Sequence, residues 1–163
     1  MRHEELLEQN CAIGRAGAVL GERWVFAILR AAFFRARTFE DFQRHTGIAR
    51  NILTERLSRL VDFGILERRP YEESGRRVRH EYRLTEAGRD LYPIVVAIME
   101  WGNRHTGLEH GAPVQLRHRT CGEIMHPRLT CDRCGEAVDP REVVPERGPG
   151  AEQPAAPWTG SLA

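Results

Sequence analysis

The chain contains no lysine. All 24 of its basic residues other than histidine are arginines, and 23 acidic residues balance them to a net charge of +1. So neutral a sum gives no global basicity to announce a nucleic-acid partner. Placement matters more than the total, because arginine is the side chain that forks onto phosphates and guanine edges. A GC-rich coding bias is the bland explanation of the missing lysine. Also lacking is any run of about 18 uncharged apolar residues, since the longest apolar region, Ala16 to Phe34, is cut by Glu22, Arg23 and Arg30. A membrane-spanning helix is thereby excluded. The acidic start, Met-Arg-His-Glu-Glu, lacks the basic and apolar regions of a secretory signal, so a cytoplasmic location is expected. Cysteine is scarce, and four thiols in a reducing compartment point to metal binding or reactivity rather than a disulfide framework. No nucleophile-and-base constellation and no phosphate-cradling glycine loop are visible, which argues against an enzyme.

What is present suffices for one ordinary domain with a small appendix: 163 residues, 41% of them hydrophobic. Composition divides the chain into residues 1–110, with apolar residues at helical or strand spacing, residues 116–144, holding three of the four cysteines, and residues 145–163. The last part is Pro, Gly and Ala with few aliphatics and is expected to be disordered. No repeat is visible at solenoid periods.

Ile13, Ala16, Leu20, Trp24 and Ile28 step by three or four, predicting a short helix, a break near Gly21 and a stronger helix to about Phe34. Thr38 and Asp41 offer an N-cap and a first-turn carboxylate for a helix that Gly47 stops. The next helix, about 49–63, carries Leu53, Leu57, Leu60 and Val61 on one stripe, with Gly64 as its stop. Then the period changes. Leu66 to Glu72 and Val78 to Leu84 are strand-like around a Glu73-Ser74-Gly75-Arg76 turn, the second alternating as Val78, His80, Tyr82 and Leu84. Thr85 caps a final helix through Trp101, in which Pro93 predicts a kink or a later start.

The expected fold class is mainly α with a small β-hairpin: a winged helix-turn-helix domain, a zinc-ribbon-like segment and a disordered tail. The exposed face of helix 49–63 is short and polar, with Asn51 able to address adenine and Thr54 a phosphate or a thymine methyl. Glu55 needs an arginine partner or a cytosine to be tolerated near phosphates. The wing about 66–84 is denser in charge: six arginines against three glutamates between Arg68 and Arg83 give +3, with His80 in addition. Arg76 and Arg77 stand at its tip, where a wing would meet phosphates or the minor groove. Candidate DNA contacts are therefore Arg50, Asn51, Thr54, Glu55, Arg56, Ser58 and Arg59 from the helix and Arg76, Arg77 and Arg79 from the hairpin. A protein-interaction adaptor on the same scaffold is the alternative.

Cys11, Val19-Leu20-Gly21-Glu22-Arg23-Trp24, Ile28-Leu29-Arg30, Phe39-Glu40-Asp41-Phe42, Gly47-Ile48, Asn51-Ile52-Leu53-Thr54-Glu55-Arg56-Leu57, Gly64-Ile65-Leu66, Tyr71, Glu81-Tyr82-Arg83-Leu84-Thr85 and Gly88 together resemble the HxlR family of bacterial winged-helix transcription regulators. The likeness covers about Cys11 to Trp101. It implies a homodimer, joined through N-terminal and C-terminal helices, that binds a near-palindromic double-stranded DNA operator in the bacterial nucleoid and answers an unidentified small-molecule or oxidant signal. Apolar Val95, Ile98, Met99 and Trp101 independently suit a dimer. Cys11 stands where some members sense electrophiles or oxidants, and Arg15 one turn on would favour the thiolate. Ala12 replaces the family's usual proline. A buried Cys11 acting as a small hydrophobe is the reading that packing favours.

His118-x2-Cys121 and Cys131-x2-Cys134 present two pairs of zinc-type ligands, each followed by a glycine that lets the backbone turn. One structural Zn2+ per chain is expected, and its binding would supply much of this small segment's folding energy. His126 is an alternative to His118, and a Cys131/Cys134 redox pair is an alternative to the metal.

Overall fold

Two left-handed glycines flank the helix predicted at about 49–63. A computed structural model describes residues 3–8, 10–71 and 79–151 and divides into Met1–Met99 and Glu100–Ala163, with the boundary inside the last α-helix. Gly47 (φ 67°) and Gly64 (φ 68°) adopt the backbone region that a Cβ disfavours, so each ends a helix where the sequence predicts it.

The helices in order are α1 His3–Glu8, α2 Ala12–Leu20, α3 Val25–Phe33, α4 Phe39–Thr46 and α5 Arg50–Asp62. The antiparallel hairpin β1 Leu66–Tyr71 and β2 Arg79–Leu84 follows, in register from Leu66 opposite Leu84 to Tyr71 opposite Arg79. Then come α6 Glu86–Asp90 and α7 Tyr92–His105. The predicted long helix after Thr85 is thus two. Pro93, which has no N–H to donate, occupies the second position of α7, where none is needed, and Leu91 breaks the chain before it. Helix α1 has no counterpart in the sequence reading, and the hairpin tip at 72–78 lies outside the described residues, as do residues 152–163 of the expected disordered tail.

Phe42, Ile28, Leu29, Leu53, Leu57, Leu60 and Leu66 are fully buried and unite α3, α4, α5 and β1 in one core. Each contributes roughly 1.5–3 kcal/mol by leaving water. The stripe predicted for α5 therefore faces inward, which turns its other side to solvent. The hairpin is tied to the core at both ends: Thr85 N–H donates to the Ile65 carbonyl at 3.1 Å, and Tyr82 N–H donates to the Arg37 carbonyl at 2.7 Å. Residues 37 and 38 thereby run beside the hairpin, with Thr38 joined to Glu81 by a single bridge. Phe42 and Tyr82 pack edge to face below, ring centroids 6.1 Å apart.

The entry to α4 is closed by a reciprocal cap. Asp41 N–H donates to Thr38 Oγ1 at 3.1 Å, while Asp41 Oδ2 accepts from Thr38 N–H at 3.0 Å and Arg37 N–H at 3.3 Å. Those bonds, the Thr38 N–H first, hold the Asp41 carboxyl down at about 2 from an ordinary 3.8, and Arg44 adds to them. The cap thus fixes the same two residues that pair with β2. Asp41→Asn is expected to cost about 1 kcal/mol at neutral pH. Because the folded-state value is the lower one, this stability is present above about 3.8 and is lost as the pH falls towards about 2. Urea titrations across that range should show the wild-type advantage over Asp41→Asn shrinking with acid.

The second unit holds no buried residue among its described positions. Beyond α7 its order comes from two small hairpins and a 3-10 turn, Pro140–Glu142. No helix among the described residues is long and apolar enough to cross a membrane.

Candidate nucleic-acid interface

Burial of Leu53, Leu57 and Leu60 leaves Arg50, Asn51, Thr54, Glu55 and Ser58 exposed on α5. The preceding turn of Gly47, Ile48 and Ala49 is short, and buried Ile48 anchors it, so the angle between α4 and α5 is set by packing. Arg50 lies over the Phe39 ring, 4.6 Å from its centroid, and donates to Gln43 Oε1 at 3.1 Å. It therefore braces α5 against α4 while remaining at the surface. Thr54 Oγ1 donates to the Arg50 carbonyl at 2.9 Å, which presents its methyl and oxygen lone pairs outward. Asn51, Thr54 and Ser58 form a strip of short polar side chains from the helix's first turn to just past its middle, a shape that enters a major groove.

Two of the candidate arginines are engaged within the domain. Arg56 Nη2 pairs with Glu22 Oε2 at 2.7 Å, and Arg59 Nη1 pairs with the other oxygen of the same carboxylate. Glu22 is only 10% exposed, and Arg56 also pairs with Glu55 at 2.7 Å. Both guanidiniums lie along the edge of the buried stripe, so they bind α5 to the turn between α2 and α3. This also supplies the arginine partner that Glu55 requires. The sequence reading missed Glu22, although it was visible as an isolated carboxylate between Gly21 and Trp24.

On the hairpin, Arg68 Nη2 lies 3.1 Å from His80 Nδ1, and Arg69 pairs with Glu67 at 2.6 Å. Arg68, Arg79 and His80 line a cleft of about 310 Å³ with Phe39, Glu40 and Tyr82, between α4 and the wing. Arg76 and Arg77 lie outside the described residues.

Cys11 is exposed, which overturns the buried-hydrophobe reading. Its backbone is extended and its sulfur accepts from Gly14 N–H at 3.4 Å, so it caps α2 in place of the usual oxygen.

The cysteine-rich segment contains two matching hairpins. His118 N–H donates to the Glu123 carbonyl at 2.8 Å, Gly122 N–H to the His118 carbonyl at 2.8 Å and Met125 N–H to the Leu116 carbonyl at 2.8 Å. Thirteen residues on, Cys131 N–H donates to the Glu136 carbonyl at 2.9 Å, Gly135 N–H to the Cys131 carbonyl at 2.8 Å and Val138 N–H to the Leu129 carbonyl at 2.9 Å. Gly122 (φ 76°) and Gly135 (φ 75°) take the same left-handed turn. His118 Nδ1 lies 3.3 Å from Cys121 Sγ, whereas His126 Nδ1 lies 3.0 Å from Glu100 Oε1. Backbone N–H groups of Cys134 and Arg133 bring the Cys131 thiol below its usual range. Among the described residues no three His, Cys, Asp or Glu side chains are gathered closely enough to hold an ion, so each hairpin presents its pair separately.

Helix, tight turn, helix and a hairpin tied back to the first helix of that pair define a winged helix-turn-helix, a class of DNA-binding domain. The chain belongs to the HxlR-like helix-turn-helix family, whose model matches residues 19–110. It is 49% identical over 139 residues to an uncharacterized HTH-type transcriptional regulator of Mycobacterium tuberculosis, covering 85% of this chain and 87% of the relative. Among solved structures it is similar to PA1607, a proposed transcription factor, with a TM-score of 0.78 and 30% identity over 88% of this chain and 99% of that one. The redox regulator HypR in its reduced form gives a TM-score of 0.53 at 31% identity, over 59% of this chain and 96% of HypR. The mycobacterial relative and PA1607 thus extend past the winged domain into the region of the cysteine hairpins. The chain is a transcription regulator by family, not an enzyme.

Proposed function

We propose that the chain acts as a homodimer on a near-palindromic operator, with the Asn51, Thr54 and Ser58 strip of α5 in the major groove and the wing on the backbone or minor groove. The observation that carries this is the division of labour on α5. Leucines hold one side in the core, Arg56 and Arg59 clamp Glu22, and short polar Asn51, Thr54 and Ser58 remain to face a partner, with Arg50 and Glu55 exposed beside them. Apolar side chains support the dimer: Tyr92 (41% exposed), Ile94 (43%), Ile98 (42%) and Trp101 (61%) stand out along α7. Beside them Phe26, Ala27, Val95 and Met99 line a groove between α3 and α7. So much apolar surface on one element suits a second copy. Exposed Cys11, at the N-terminus of α2, is the position for an oxidant-responsive input.

Anisotropy titrations of the full chain against duplex DNA from its own upstream region, at low salt, test the reading. Specific binding is expected, and Asn51→Ala should reduce discrimination against substituted operators by about 1–3 kcal/mol. Equal affinity for operator and scrambled duplex would overturn it.

A further inference from the structure

The two cysteine hairpins are a duplicated metal knuckle, and we infer that together they bind one structural Zn2+ within each chain through His118, Cys121, Cys131 and Cys134. This goes beyond DNA recognition and stands or falls separately from it.

The first observation is the repeat itself. Leu116-Arg117-His118-Arg119-Thr120-Cys121-Gly122-Glu123-Ile124-Met125 aligns without gaps on Leu129-Thr130-Cys131-Asp132-Arg133-Cys134-Gly135-Glu136-Ala137-Val138. Leucine, cysteine, glycine and glutamate recur at the same places, and His118 takes the place of Cys131. Each copy closes with the same three backbone hydrogen bonds and the same short bridge, Arg117 to Ile124 and Thr130 to Ala137. The duplication preserves the two positions that carry ligand-type side chains and the glycine that turns the chain behind them. A tetrahedral ion needs two such pairs, and only His126, Pro127 and Arg128 separate the copies.

The second observation is energetic. Neither hairpin buries a side chain: Leu129 is 72% exposed, and Leu116, Ile124, Met125 and Val138 are only half-buried. Two-stranded hairpins of this size are marginal without a core, so their order requires another source. Coordination supplies it, as in small metal-dependent domains. Thiols are weak hydrogen-bonding partners, so the polypeptide alone has little to draw the two pairs together, and the ion does so. Its fourth ligand is His118 rather than His126, because His118 already adjoins Cys121 within its knuckle while His126 is engaged by Glu100. Four protein ligands leave no open position, so the centre is structural.

The test is metal analysis of the full chain, purified under reducing conditions and reconstituted with zinc. About one zinc per chain is expected, with Cys131→Ser/Cys134→Ser losing it and His126→Ala retaining it. Cobalt substitution provides a second readout: a tetrahedral spectrum is expected, with stronger sulfur-to-metal charge transfer in His118→Cys, which keeps the metal. Zinc well below one per chain, half an ion per chain bridging two copies, retention of the metal in the double serine variant, or loss of it in His126→Ala would overturn the inference.

Discussion

Glu22→Ala should destabilise the winged domain by about 3 kcal/mol, the scale of a largely buried ion pair left with one side missing. The carboxylate is 10% exposed and receives Arg56 and Arg59 on its two oxygens, and Arg56 Nε, itself buried, has no protein hydrogen-bond partner. Removing Glu22 leaves two guanidiniums beside the core with only Glu55 nearby. Replacing all three residues together by apolar ones, Glu22→Leu, Arg56→Met and Arg59→Leu, should cost less than Glu22→Ala alone, because no unpaired charge remains. Denaturant unfolding of the three proteins distinguishes the cases. The same variants bear on function. If Arg56 and Arg59 were phosphate contacts held back by Glu22, Glu22→Ala would raise DNA affinity and steepen its salt dependence. A structural clamp predicts lower affinity, since α5 loses its anchor to the α2–α3 turn.

Arg76→Ala/Arg77→Ala should weaken binding to every DNA sequence alike, by one to two orders of magnitude at low salt, and flatten the log–log salt slope by up to about 3.6 in a dimer. The basis is the +3 excess of the Arg68 to Arg83 hairpin, larger than the +1 of the whole chain. Titrations at several salt concentrations measure the slope directly. An unchanged slope would remove the wing tip from the interface and leave Arg68, Arg79 and His80 at the cleft beside α4 as the hairpin's contribution.

Local chemistry was legible in the sequence. Gly47 and Gly64 end their helices because few other residues accept their backbone angles, Thr38 and Asp41 announce a cap, and the leucine spacing of α5 gives its buried side. Partnerships between distant residues were not legible. Nothing in helical periodicity says that Arg56 and Arg59 meet a carboxylate at Glu22, so both read as candidate DNA contacts. Cys11 looked like a small apolar core residue because composition does not show that its sulfur caps α2. The repeat of the cysteine hairpins is hidden in the sequence because its offset is shorter than solenoid periods and His118 replaces a cysteine. Backbone hydrogen bonds made it plain.

The most direct test of the account is a selection of bound sites from random duplex DNA with the full-length protein. A dimer reading DNA through α5 predicts an enriched inverted repeat, with half-site centres one helical turn, about 34–36 Å, apart. Asn51→Ala should blur the most informative base in each half. A pool that enriches no sequence, or a single unrepeated site, would contradict it.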